Sequence, residues 1–233
     1  MQTHHHPAAL LPLLLPTLHS PPPPPPIQTL PARPPRPGMG VPSEAGADGR
    51  GCAGQRTLVF TYGTLKQGFS NHCLVQEMIR SGDASYVGVY RTADRYPLVC
   101  GPYRVPFLLN LPGEGQRVWG EVYAVSGAGI ARMDELEGTR RGHYERLPIL
   151  IRRGGEGGGG DAGNEDAADE AVVGAEAYFA HRSYAGDLWK RNGEKGYCVY
   201  SEKEARGYIR RKDRPAGTTF LDQIRFFVSS PAE

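Results

Sequence analysis

Two short stretches carry side chains whose types and spacing could do chemistry. The first is "TLVFTYGTLKQGFSNHCL" at residues 57–74, a strand-like apolar run that breaks into a glycine turn and ends on Asn71 and His72. A glycine in such a turn lets the backbone approach a ligand closely. Gly63, with Tyr62, Thr64 and Leu65, could then aim successive N–H groups at an anion such as a carboxylate. An ordinary strand-to-helix turn has the same composition. The second stretch is "MDELEG" at 133–138. Asp134 and Glu135 read as a solvated helix face. Glu137 differs, because it follows Leu136 at the helix end, immediately before a glycine and a polar turn, where a carboxylate can look into a cleft. A helix C-terminus disfavours the ionised form and raises the pKa, which suits a group that takes up a proton and returns it. His72 is the alternative base, although an Asn-His pair at a helix start more often serves as a cap or a supporting group.

The elements that must position these groups begin at residue 56. "RTLVFTY" (56–62) reads as a mostly buried strand. "HCLVQEMIRS" (72–81) reads as a helix with Leu74, Val75, Met78 and Ile79 on one face and Ser70 or Asn71 as its cap. Strands follow at 84–91, 106–111 and 118–125, with "PGEGQ" as a hairpin turn between the last two. Residues 128–138 switch to helical spacing through Ile130, Met133 and Leu136, and Gly138 is placed to end that helix. Strand character returns at 144–153 and 175–183. The last segment, 218–230, reads as an amphipathic helix carrying Leu221, Ile224 and Val228. These elements make one α+β domain over residues 56–230.

Composition sets the limits of that domain. Fourteen of the 21 prolines lie before residue 43, and polyproline geometry offers no internal hydrogen bonds, so residues 1–55 are expected to be a disordered arm. A glycine-rich acidic insertion at about 154–171 is expected to be a disordered loop between two strands. Prolines interrupt the apolar "AALLPLLLPTL" and no Lys or Arg precedes it, which argues against a secretory or membrane segment. No acidic residue occurs before Glu44, so organellar targeting by the arm stays open, with the cytosol as the default. The four cysteines show no metal-ligand or disulfide spacing. A formal charge of +2 gives no argument for nucleic acid, and the basic run "YIRRKDR" (208–214) reads as a solvated strand end or loop.

The order of motifs resembles that of a known family. "VFTYGTLKQGFSNH" is similar to the opening of the γ-glutamylamine cyclotransferase branch of the γ-glutamylcyclotransferase-like (AIG2-like) proteins. Further matches are "YPLV" (96–99), "VPFLLNLPGEGQRVWGEVYAV" (105–125) and "MDELEG" followed by Tyr144-Glu145-Arg146. The later "GYCVYSEKEARGYIRR" looks like plant members. The resemblance implies a small mixed β-barrel with flanking helices. It implies that Tyr62, Gly63, Thr64 and Leu65 form the substrate-binding loop, that Glu137 is the acid/base carboxylate and that Tyr144 helps line the pocket, across a slightly long "GTRRGH" spacer. It further implies release of 5-oxoproline from a small γ-glutamyl compound, with no cofactor or metal and neither nucleic acid nor membrane as partner. A non-catalytic member that only binds a small molecule is the alternative. The sequence specifies neither the amine released nor the oligomeric state.

Overall fold

The computed structural model describes residues 55–154 and 171–230. The expected disordered arm at 1–55 and the acidic insertion at 154–171 therefore lie, but for their edges, outside the described residues. Seven strands form one sheet: β1 (Thr57–Thr61), β2 (Ala84–Thr92), β3 (Leu98–Cys100), β4 (Pro106–Leu108), β5 (Trp119–Val125), β6 (Tyr144–Arg153) and β7 (Val172–Ala180). Their order is β1-β5-β2-β6-β7-β4-β3. A parallel pairing of β1 with β7, Val59 opposite Glu176 and Phe60 opposite Ala177, closes the first five into a barrel. The helices are α1 (His72–Arg80), α2 (Gly127–Glu137), α3 (Arg182–Arg191), the single turn α4 (Glu202–Ala205) and α5 (Phe220–Ser229).

Strand alternation divides the core in two, because successive side chains leave opposite faces of a sheet. Val59, Tyr123, Val125, Tyr178 and Ala180 join Val75 and Met78 of α1, Ile130 and Met133 of α2, Leu188 of α3 and Ile224 of α5. Their neighbours Phe60, Val122, Ala177 and Phe179 take the opposite face, with Ile149 and Ile151 of β6. The helices thus cover one face of the barrel wall while the other is filled by aliphatic and aromatic side chains.

Several expectations need correction. No hairpin joins 106–111 to 118–125: β4 pairs with β3 and, in parallel, with β7, while β5 lies between β1 and β2. The "PGEGQ" stretch instead folds back on the preceding segment, where Gly113 N–H donates to Arg95 O and residues 96 and 116 bridge. The strand expected over 175–183 starts earlier and ends at Ala180, where His181 caps α3, a helix not anticipated. In α1, Val75 and Met78 are buried but Ile79 is 40% exposed, so the helix lies on the sheet along a narrow stripe.

β6 and β7 pair without interruption from Tyr144–Ala180 to Arg152–Val172. The roots of the insertion are therefore held side by side by the ladder, and loop length changes closure entropy only slowly. Replacing residues 154–170 by a tight turn should leave the melting temperature unchanged or raised. A fall of more than about 4 °C, on the order of 1 kcal/mol for a domain of this size, would mean that the insertion packs on the barrel.

Candidate active site

The end of β1 and the end of α2 converge on one cavity of about 110 Å³. Tyr62, Gly63, Thr64, Leu65, Glu137 and Tyr144 all line it; His72 does not. The structure thus brings together the six residues singled out in the sequence from three separate elements, and sets His72 behind them.

The loop after β1 is held from its back. His72 Nδ1 lies 2.9 Å from Leu65 O, Asn71 Nδ2 donates to Thr64 Oγ1 at 2.9 Å, and Asn71 N–H donates to Thr64 O at 3.0 Å. Asn71 makes no side-chain cap to α1; it spends its amide on the loop. Among the described residues no hydrogen bond takes up the N–H groups of Gly63, Thr64 or Leu65, so three consecutive donors at the cavity wall have no protein acceptor. Gly63 has a packing reason as well as the expected one: a Cβ there would stand 2.6 Å from Pro106 Cγ. Replacing His72 by Ala should remove the tie to Leu65 and cost ~1–3 kcal/mol of stability. The melting curve checks this, and a loss of activity far exceeding any loss of ligand affinity would return His72 to the chemistry.

Glu137 is the last residue of α2. Ser126 starts the helix by accepting from Gly129 N–H, and Gly138 ends it in the left-handed conformation at φ 65°, where any Cβ would also collide with the His143 ring. The spacer that looked long is a compact turn: Thr139–Arg141 form a 3-10 turn, and Arg141 and His143 both donate N–H to Gly138 O, delivering Tyr144 to the first position of β6. Asp134, expected to be solvated, instead fastens α2 to the barrel. It accepts from Arg146 Nε at 3.0 Å and from Tyr178 Oη at 2.8 Å, while Arg146 also pairs with Glu176. Glu135 does lie on the exposed face, paired with Arg141.

Among the described residues the Glu137 carboxylate accepts no hydrogen bond, and it retains solvent access only in part. Enclosure by the cavity wall pushes its pKa from an ordinary 4.5 up to about 7. Burial, rather than the helix terminus invoked from the sequence, is the cause. The phenols around it are fixed and neutral. Tyr62 Oη donates to Tyr178 O at 2.7 Å and Tyr144 Oη to Pro106 O at 3.2 Å, with the Tyr144 ring stacked on Phe107. Burial, then Glu137 for Tyr62 and the Tyr62 phenol for Tyr144, holds both well above the usual tyrosine range.

Four groups at the cavity were not anticipated. His143 lines it under the Phe220 ring, at 4.2 Å between centroids, and burial, then Arg211 and Arg141, pulls its pKa down to about 4. Tyr208, Arg211 and Arg214 reach it from the segment between α4 and α5. His143 adjoins a residue that was singled out, so position alone could have raised it. The two arginines were visible only as a basic run.

The fold places the chain in a known structural class. The crystal structure of an AIG2-like protein from Mus musculus superposes with a TM-score of 0.55 and 27% identity, covering 69% of this chain and 99% of that one. The chain belongs to the gamma-glutamyl cyclotransferase, AIG2-like family, whose sequence model matches residues 59–198. It is 59% identical over 177 residues to an Arabidopsis thaliana protein that carries the provisional name gamma-glutamylcyclotransferase, which spans 76% of this chain and 94% of the relative. It is 44% identical over 97 residues to the Homo sapiens gamma-glutamylaminecyclotransferase, 41% of this chain and 58% of that protein.

Proposed function

We propose that this protein is a γ-glutamylcyclotransferase acting on γ-glutamyl amines or related γ-glutamyl compounds, with Glu137 as the proton shuttle. The observation that carries this reading is a carboxylate that accepts no hydrogen bond among the described residues and is pushed up to about 7, lining one small cavity together with Gly63, Thr64 and Leu65, whose backbone N–H groups have no protein acceptor among those residues. The substrate's α-amine nitrogen attacks its own γ-carbonyl carbon. The new C–N bond closes the ring of 5-oxoproline, and the C–N bond to the attached amine breaks. Attack is intramolecular, so holding the chain folded back supplies much of the rate. Ionised Glu137 takes the proton that the α-amine loses and returns it to the departing nitrogen. The N–H groups of Gly63, Thr64 and Leu65 hold the substrate carboxylate or the oxyanion that develops.

Magnitudes decide between Glu137 and His143 as the base at the cavity. At pH 7 a base whose conjugate acid has a pKa of about 4 carries a proton only at a cost of ~4 kcal/mol, whereas one near 7 exchanges it almost freely. Glu137 is thus matched to the task and His143 is not. Incubation with ε-(γ-glutamyl)lysine, a simpler γ-glutamyl amine, a γ-glutamyl amino acid and glutathione should release 5-oxoproline from at least one of the four. For that substrate kcat/KM should rise with pH through about 7, as Glu137 ionises. If none of the four yields 5-oxoproline, the protein is a binding member of its family and this reading falls.

A further inference from the structure

Residues 199–230 follow the stretch matched by the family model, yet one of them joins two walls of the site. Tyr200 is fully buried. Its backbone carbonyl accepts from Lys66 Nζ at 2.8 Å and its ring packs against Phe69, both in the segment that follows β1. Its hydroxyl donates to Arg104 O at 2.9 Å, in the turn between β3 and β4. Tyr200 thus bolts the donor loop to that turn. The bolt is itself fixed from both sides. Before it, Tyr197 N–H donates to Leu98 O and Cys198 O accepts from Trp119 N–H; after it, Ser201 and Glu204 close the capping box of α4.

The turn that Tyr200 reaches needs holding. Tyr103 and Arg104 lie in succession in the left-handed region, at φ 57° and 59°, which a residue with a Cβ enters only at an energetic cost. Three hydrogen bonds to residues 200–209 keep them there: Tyr200 Oη to Arg104 O, Arg104 Nε to Glu204 O at 3.1 Å, and Ile209 N–H to Tyr103 O at 3.3 Å. The turn delivers Val105 and Pro106 to the cavity, and Pro106 both lies against Gly63 and accepts from Tyr144 Oη. We propose that Tyr200 is a positioning residue of the site: by tying the donor loop to the left-handed Tyr103–Arg104 turn, it sets the spacing between the N–H groups of Gly63 to Leu65 and the wall of Pro106 and Tyr144. This rests on the cyclotransferase reading for the ligand that those walls enclose. Without the hydroxyl the turn loses a bond that offsets its conformational cost, Pro106 and Tyr144 gain freedom to shift, and part of a ligand's binding energy goes into restoring the spacing.

The test uses a ligand that cannot cyclise because it lacks the α-amine: the glutaryl amide of n-hexylamine, which keeps the carboxylate equivalent to the substrate's α-carboxylate. Tyr200→Phe retains the ring and its contact with Phe69 and removes only the hydroxyl. By calorimetric titration this variant should bind the glutaryl amide at least about fivefold more weakly, the equivalent of one hydrogen bond. In the ligand-free variant the backbone amide NMR signals of Gly63, Thr64, Leu65, Phe107 and Tyr144 should shift. Glycine enters the left-handed region without the steric cost, so in the Arg104→Gly background the turn should hold its shape without the hydroxyl, and adding Tyr200→Phe should change affinity by less than about twofold. A folded Tyr200→Phe protein that melts earlier but keeps its affinity and its amide signals would reduce the residue to a structural one and overturn the assignment. An equal loss of affinity in the Arg104→Gly background would do the same. Failure to release 5-oxoproline would sink the proposed reaction while leaving the ligand-free amide signals as they are, so the two fail separately.

Discussion

Glu137→Gln should lower kcat by at least about a hundredfold, the low end of the contribution of a general acid/base group. The amide keeps the size of the side chain and its place at the end of α2, but it cannot accept a proton and hand it on. Because the loop N–H groups are untouched, affinity for a glutaryl amide should change little. A loss confined to kcat is the signature of an interaction made in the transition state. Stability should move the other way. The folded protein holds Glu137 near 7 against an ordinary 4.5, so folding favours the protonated form. The stability this gives is fully present below about pH 4.5 and is lost as pH rises through 7. The Gln variant should therefore be more stable at pH 8, by up to ~3 kcal/mol, with the advantage gone at pH 4. Near-normal turnover in the folded variant, or a gain in stability that ignores pH, would take this carboxylate out of the mechanism.

Gly63→Val acts on binding instead. Its Cβ would stand 2.6 Å from Pro106 Cγ and 3.3 Å from Pro106 Cβ, closer than packed atoms tolerate. Either the loop lifts or Pro106 retreats, and Pro106 O is the acceptor for Tyr144 Oη. Both responses shift the wall that carries the three free donors. Overpacking of this kind costs ~1–3 kcal/mol of stability. Affinity for a glutaryl amide should fall by at least about tenfold, the equivalent of one displaced hydrogen bond to a charged group. Gly63→Ala places the same Cβ with less bulk behind it and should shift both readouts in the same direction by less. A folded Gly63→Ala protein with unaltered affinity and melting temperature would show that the loop has room to spare.

These two positions also show what could be read in the sequence and what could not. The run into "YGTL" and the helix closed by Gly138 are local signals, set by strand alternation, helical spacing and glycine at a left-handed position. Those signals marked the turn at Tyr62 to Leu65 and the helix-end Glu137 as candidates, and the family resemblance added Tyr144. Other facts were decided by partners distant in sequence. The reason for Gly63 lies in Pro106, the reason for Asp134 in Arg146 and Tyr178, and the raised pKa of Glu137 in the walls that enclose it. The false hairpin at 106–125 had the same origin: turn residues between two strands say nothing about which strands will be neighbours, and β4 found β3 and β7. Arg211 and Arg214 were hidden because a basic run looks alike whether it faces solvent or a cavity.

The seam that closes the barrel ties the cavity to folding kinetics. β1 and β7 meet over two residue pairs, and Tyr62 Oη reaches Tyr178 O across 116 positions of sequence, so closure brings together segments whose encounter carries a high entropic cost. The donor loop leaves from the last residue of β1, and Tyr178 lies next to the seam on β7. The cavity thus has no existence as a local subdomain: it assembles when the barrel zips shut and is dismantled when the seam parts. A ligand bound there holds together the two strands that close the barrel. Its occupancy should slow amide exchange along β1 and β7 as well as at the loop, so that retention of ligand and resistance to unfolding report the same opening event.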